Sequence, residues 1–544
     1  MKAIALLAPL LLALPVALPF ATPQGAGPAA PASLPLTVAE ASSYARTATS
    51  AEVEQFVAAC AAASPRVVRL EMATSTKGAA VPLVLVAEPP CPTLAAARAS
   101  GKLAVLVCAN IHAGEVEGKE AVLALLRELA AGQHAELLER LVLAFVPNLN
   151  PDGNDALDRK NRPDQNGPVE GVGQRANGQG LDLNRDFVKL AAPETRGLVA
   201  AVNALDAALV LDLHTTDGSF HGYDLTYAAP LHPATDPALF AFAQGTFLPA
   251  LRATMAGAGF ATYDYGDFVD AKRPEAGFAT FDHRARYGTN YFGLCHRLTL
   301  LSEAYSHESF ERRIAATGAF VRAALRFAAV RADELAALQR DARAAGARLA
   351  GATELPRRAQ LAVTRARDAV LVGECRSEPD PVTGLLRVID TGVVRTVEMP
   401  VQVTFAGLEP IAPPAFGWAL PEASAEVEAL LRRHAIDCER LAAPRRARGS
   451  AWRIAKRSEA ARPFQGHRLV ELEGAPEEWS GLLPIGTLFV PAKQPLAALA
   501  LLLLDPRSDD GLATWGLIGG AAESGPPGAA GEQFAVLRLE QPGS

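Results

Sequence analysis

One stretch limits the possible folds of this chain more than any other. Residues 103–109 (Leu-Ala-Val-Leu-Val-Cys-Ala) form an unbroken apolar run, residues 112–115 read His-Ala-Gly-Glu, and an amphipathic segment occupies 116–130. The short run reads as a buried strand and the periodic segment as a helix, which puts His-Ala-Gly-Glu in a turn at a strand's carboxyl end. Open α/β sheets collect their chemistry at that edge. The pattern recurs. Apolar runs at 83–86, 141–146, 206–213 and 298–301 read as strands, and the last three end at Pro147-Asn148-Leu149-Asn150-Pro151-Asp152-Gly153, at His214 and near Glu303. Strands alternating with helices predict an α/β fold, a mixed sheet flanked by helices on both faces.

The chain has 544 residues, too many for one ordinary core, and two domains plus a leader are expected. Positive Lys2, the apolar stretch 3–20 and the small residues after it read as a signal peptide over 1–21. Prolines 9, 15 and 19 disfavour a stable membrane-spanning helix there, and 22–36 reads as a Pro/Ala-rich linker. The expected product is secreted or periplasmic, with no membrane span after cleavage. Residues 309–349 are helical in pattern and close a first domain over 37–349. Past Pro356, short β-like runs among prolines predict a second, smaller β-rich domain over 357–544, with one helix near 423–435. The run 496–504 is apolar but too short to cross a bilayer.

A net charge of −7 argues against nucleic acid as the main partner, and the densest basic cluster, Arg445-Arg446-Ala447-Arg448, reads as a solvated loop. The six cysteines are scattered with no Cys-x-x-Cys pair, so a structural zinc site is not expected.

His-x-x-Glu alone is a common accident. Its company gives it weight: His214 ends a second buried strand and Glu303 a third, so a sheet edge could gather two imidazoles and two carboxylates. Hydrolytic zinc sites use three such ligands and leave the fourth position to water, whose pKa falls towards ~7. His112, Glu115 and His214 would hold one Zn²⁺, and Glu303 would be the spare carboxylate that moves the water's proton. The segment His307-Glu308-Ser309-Phe310-Glu311 begins like the helical zinc motif His-Glu-x-x-His but ends in Glu, and does not support it.

Several further blocks appear in one order: Asn150-Pro151-Asp152-Gly153, Arg159-Lys160-Asn161-Arg162, Asp182-Leu183-Asn184-Arg185, His214 and Ser302-Glu303. With His112-Ala113-Gly114-Glu115, they make residues 36–345 resemble the zinc carboxypeptidases of the M14 (carboxypeptidase A-like) family. The resemblance implies His112, Glu115 and His214 as zinc ligands and Glu303 as general base. It also implies Arg159 as the arginine that steadies the oxyanion, and Asn184 and Arg185 as the grip on a substrate's terminal carboxylate. Asp182 would fix the tautomer of His112, and Tyr287, or Tyr291, would close over substrate. The interval between Glu115 and His214 is shorter than in the pancreatic-type enzymes, so substrate-facing loops are trimmed or replaced.

The resulting expectation is a secreted metallocarboxypeptidase that cleaves peptide bonds beside a free C-terminal carboxylate. Rivals on the same scaffold are a cell-wall peptide amidase and an N-acyl amino acid deacylase. The rival of another class is a non-catalytic metal- or peptide-binding protein, in which the base or the oxyanion arginine should be missing. Beyond the resemblance, Asp212, His221 and His232 are expected to be structural, Asp509-Asp510-Gly511 a turn, and Trp479 and Trp515 core or partly buried residues.

Overall fold

A computed structural model describes residues 34–216, 218–381, 384–519 and 531–542. The expected signal peptide and all but the last three residues of the expected linker lie outside them. Leu34 onward forms one compact unit. Its spine is an eight-stranded sheet: β1 (Val67–Thr74), β2 (Ala80–Val86), β3 (Leu103–Ala109), β4 (Leu141–Val146), β5 (Leu209–Thr215), β6 (Leu225–Ala228), β7 (Thr262–Asp264) and β8 (Leu298–Ala304). The order across the sheet is β1-β2-β4-β3-β5-β8-β6-β7. The central four, β4-β3-β5-β8, and the edge pair β6-β7 run parallel, while β1 with β2, β2 with β4 and β6 with β8 pair antiparallel, which makes the sheet mixed.

Every residue of β3, β4, β5 and β8 is buried, so neither face is open to solvent, and most of the polar residues of β5 and β8 gather towards their carboxyl ends. Successive side chains alternate between two cores. Ala104, Leu106 and Cys108 of β3 enter one, and Leu103, Val105, Val107 and Ala109 enter the other. Each fully buried Leu or Val here contributes about 1.5–3 kcal/mol over an exposed one. On the second face lie helices α1 (Ser50–Ala63), α2 (Glu117–Ala130) and, after α3 (Pro193–Leu205) on the first, α4 (Phe310–Val330). The start of α1 is set by a capping box in which Thr49 and Glu52 satisfy each other's backbone amides.

Residues from beyond 350 complete the first core: Trp418, Leu430, Leu501 and Trp515 join the cluster that holds Leu106 and Val202. The apolar run near 500 is the fully buried helix Ala497–Leu504. Strands β9 (Arg365–Pro379) and β10 (Leu386–Gln402) form a long hairpin, and Val401 and Gln402 of β10 pair with Phe278 and Ala279. A six-stranded sheet includes β11 (Arg445–Glu459) and β12 (Val470–Leu483). Arg445-Arg446-Ala447-Arg448, expected as a loop, opens β11: Ala447 is buried and Arg446 and Arg448 point outward. Among the described residues, no helix is long and apolar enough to cross a membrane, and the six cysteines are unpaired.

Candidate metal centre

Parallel pairing brings the carboxyl ends of β3, β5 and β8 to one edge. After β3 the chain turns through Asn110, whose backbone is left-handed (φ 62°), a conformation Asn tolerates better than most residues. The Asn110 amide donates to Asn148 (2.8 Å) and Asn154 (3.0 Å), tying this turn to the one after β4. The Glu115 amide donates to the His112 carbonyl at 2.9 Å and closes a tight loop. Gly114 cannot be larger: a Cβ there would lie 2.7 Å from the Arg162 side chain and 2.9 Å from the Gly173 carbonyl.

Within that loop and at the end of β5, three buried side chains converge. His112 Nδ1 lies 3.0 Å from a Glu115 oxygen, His214 Nδ1 lies 3.0 Å from the other, and the two Nδ1 atoms are 3.3 Å apart. His112 Nε2 faces Asp182 at 3.0 Å, and His214 Nε2 faces Asp212 at 3.1 Å. Each imidazole thus has a carboxylate beside Nε2 and presents Nδ1 to the point where Glu115 also arrives. With both imidazoles neutral, two nitrogen lone pairs and a carboxylate would be available to one cation at that point. Tetrahedral ligands about 2.0–2.1 Å from zinc stand about 3.3 Å apart, so this triangle fits that ion. Carboxylates behind ligating histidines are the usual means of fixing ring orientation.

Two arginines add positive charge. Arg162 contacts Glu115 at 3.1 Å and is locked by the carbonyls of Thr215 (3.1 Å) and Thr216 (2.6 Å) and by Gln165 (2.8 Å). Arg175 reaches Glu115 at 3.3 Å and Asp182 at 2.9 Å. Burial alone would raise the Glu115 pKa, but the charges of His112 and Arg162 hold it well below the ordinary carboxylate value. Burial would lower that of His214, yet Asp212 and Glu115 together push it well above the usual imidazole value.

Glu303 is paired in parallel register with His214 on the adjacent strand. Residues in register on parallel neighbours point to the same face, so its buried carboxylate stands on the imidazole's side of the sheet. Behind the ligands, Glu117 of α2 receives the Thr215 hydroxyl and the guanidinium of Arg313 from α4, an ion pair with no exposed surface.

The carboxylate-gripping residues of the resemblance also come together. Asp182 caps a short turn over Leu183–Arg185, and its side chain accepts from the Asn184 amide at 2.9 Å. Asn184 in turn accepts from the Gly288 amide (2.8 Å), and the Arg185 guanidinium lies 4.0 Å over the Tyr287 ring. Tyr291 points elsewhere: it is buried and bonded to His434. Arg159 is exposed, and it shares the wall of a surface pocket with Arg162, three residues on, whose side chain is the one that reaches Glu115.

Asp212 has a readable signal in the sequence, since on a strand it shares a face with His214 two residues later. Arg162 stands in the same block as Arg159, Arg159-Lys160-Asn161-Arg162. Nothing near Arg175 marks it in the sequence. Of the other expected structural residues, Trp515 and His221 are buried, and Asp510 is ion-paired with Arg286 at 2.7 Å.

His112, Glu115 and His214 form a buried cluster at the carboxyl edge of the sheet whose ligand atoms could hold one metal ion, with the His₂Glu composition that hydrolytic zinc sites use. Residues 53–227 match the zinc carboxypeptidase family, peptidase M14, and over this segment the chain is metallocarboxypeptidase-like. Among solved structures, a metallo-carboxypeptidase from Burkholderia cenocepacia is 20% identical, with 51% of this chain and 69% of that one covered and a TM-score of 0.37. A metallo-carboxypeptidase from Pseudomonas aeruginosa, in complex with (2-guanidinoethylmercapto)succinic acid, is 21% identical over 52% and 68%, TM-score 0.38. Carboxypeptidase A from Helicoverpa armigera is 16% identical over 53% and 75%, TM-score 0.39. No curated protein matches the sequence.

Proposed function

We propose that this chain is a zinc metallocarboxypeptidase that releases residues from peptides bearing a free C-terminal carboxylate. The observation that carries the reading is the convergence of two imidazole Nδ1 atoms and one carboxylate, each imidazole with an aspartate beside its Nε2. Bound there, zinc would supply a Lewis acid for the scissile carbonyl and lower the pKa of water.

The chain's residues do the rest. Glu303 takes the proton of the attacking water and returns it to the leaving amine. Arg159 steadies the negative charge that develops on the carbonyl oxygen, an interaction stronger in the transition state than in the ground state. Arg185 and Asn184 hold the terminal carboxylate, a task suited to a planar guanidinium with parallel donors. Tyr287, stacked on Arg185, covers that end. Asp182 and Asp212 hold the two imidazoles in the ligating tautomer. The charged and apolar N-terminal stretch supports export of the protein, to the periplasm or the medium, and residues 357–544 are proposed as its β-rich second part.

The test is metal content together with product analysis from a mixed peptide library, with and without a chelator. Zinc-dependent release of single C-terminal residues supports the reading. Release from amidated peptides at equal rate, or only from N-acyl amino acids or cell-wall peptides, replaces it with the deacylase or amidase. Zinc and peptide binding without release replaces it with a binding protein.

A further inference from the structure

We infer that Gln465, at the tip of the β11–β12 hairpin, is a positioning residue for the turn that carries Asp182, Asn184 and Arg185. The tip is a two-residue turn. Phe464 and His467 exchange backbone hydrogen bonds (2.7 and 3.0 Å), and Gln465 (φ 49°) and Gly466 (φ 80°) both adopt the left-handed conformation. Such turns favour Asn, Asp or Gly at their first central position, because a longer side chain gains nothing locally from that backbone. Gln is therefore a costly choice for the turn itself. Its length has a use elsewhere: Oε1 accepts the backbone N–H of Asp182 at 2.8 Å. Asn would fall one methylene short.

That single bond acts on much of the site. Asp182 is the residue whose side chain faces His112, accepts from the Asn184 amide and receives Arg175. Moving its backbone moves all three contacts. The tip itself is held firmly enough to serve as a support. Phe464 packs against Trp515 with ring centroids 6.0 Å apart, and the Arg286 guanidinium lies 5.2 Å from the Phe464 ring and 4.7 Å from that of Trp515. Arg286 is fixed by Asp510, which also accepts the Trp515 indole N–H at 2.9 Å. Lys189, 3.9 Å over Trp515, donates to the Arg185 carbonyl at 2.7 Å. The turn 182–185 is thus held from outside the family-like segment, by residues that come almost three hundred positions later in the chain.

The substrate arm of the test rests on the carboxypeptidase reading; the exchange arm does not. Gln465→Met keeps the length and removes the acceptor, Gln465→Asn keeps the amide and shortens it, and Gln465→Glu keeps both reach and acceptor. Hydrogen–deuterium exchange in the zinc-loaded full chain should quicken roughly five- to tenfold at 182–187 in the Met and Asn variants, as for one lost hydrogen bond. The Glu variant should show wild-type protection. For peptides with a free carboxylate, Gln465→Met should raise KM about fivefold or more with kcat within about twofold, and amidated peptides should be unaffected. Unchanged exchange in the Met variant overturns the proposal, as does an equal rise in KM for free and amidated peptides. If the wild type releases nothing from any peptide, the carboxypeptidase reading fails, and exchange alone decides the role of Gln465.

Discussion

The two halves of the site are built in different ways. The metal half stands on the ends of three adjacent parallel strands, and its ligands are braced by carboxylates and by an ion pair between two helices of the same sheet layer. The half proposed to hold substrate, comprising Asn184, Arg185 and Tyr287, sits on loops, and its supports come from Gln465, Asp510 and Trp515. Where strands position a group, backbone hydrogen bonds already fix it. A loop needs partners from elsewhere in the chain to reach the same precision.

Substitutions can break or sharpen that contrast. Glu303→Gln should leave zinc content unchanged and lower kcat about 10³-fold, the loss expected of a general base. A kcat near normal would place the base elsewhere and remove the catalytic role from the strand-borne half. Asp510→Ala strands the buried Arg286 charge and should cost about 3–5 kcal/mol in denaturant unfolding. A loss under about 1 kcal/mol would mean that the loops are not held from the C-terminal side. Asp182→Asn and Asp212→Asn should each weaken zinc about 10–100-fold in competition with a chelating dye. Because Asp182 belongs to both halves, its variant should also raise KM, while that of Asp212 should not. The smallest effect expected is that of Arg185→Ala, about a tenfold rise in KM confined to substrates with a free carboxylate. Equal effects on blocked substrates would refute the exopeptidase assignment.

The metal half was legible because double-sided burial forces apolar runs. Such runs announce β3, β5 and β8, and the polar residues at their carboxyl ends mark the sheet edge. Asp212 carries the strand period that joins it to His214, but a buried aspartate on a strand reads as structural until its partner's position is known. The run Arg445-Arg446-Ala447-Arg448 carries the same alternation beneath a charge pattern that suggests a loop. The substrate half was legible only through the order of its blocks. Its geometry depends on contacts between residues far apart in sequence, which no local period encodes. Gln465 illustrates the limit: its function lies in a reach across the fold, and nothing in Phe464-Gln465-Gly466-His467 says what lies at the end of that reach. Arg162 and Arg159, three apart in one block, differ in structure in a way that residue type alone does not express.

The bond between Gln465 and Asp182 spans 283 positions of chain. At about 5–20 residues per second of synthesis, the two emerge from the ribosome roughly 15–60 s apart. The proposed ligands, in the loop after β3 and at the end of β5, are translated well before that interval ends, so the growing polypeptide can bring them together while the neighbouring turn still lacks the support of Gln465. Maturation of the cleft is thereby tied to a residue 283 positions downstream of the turn it supports.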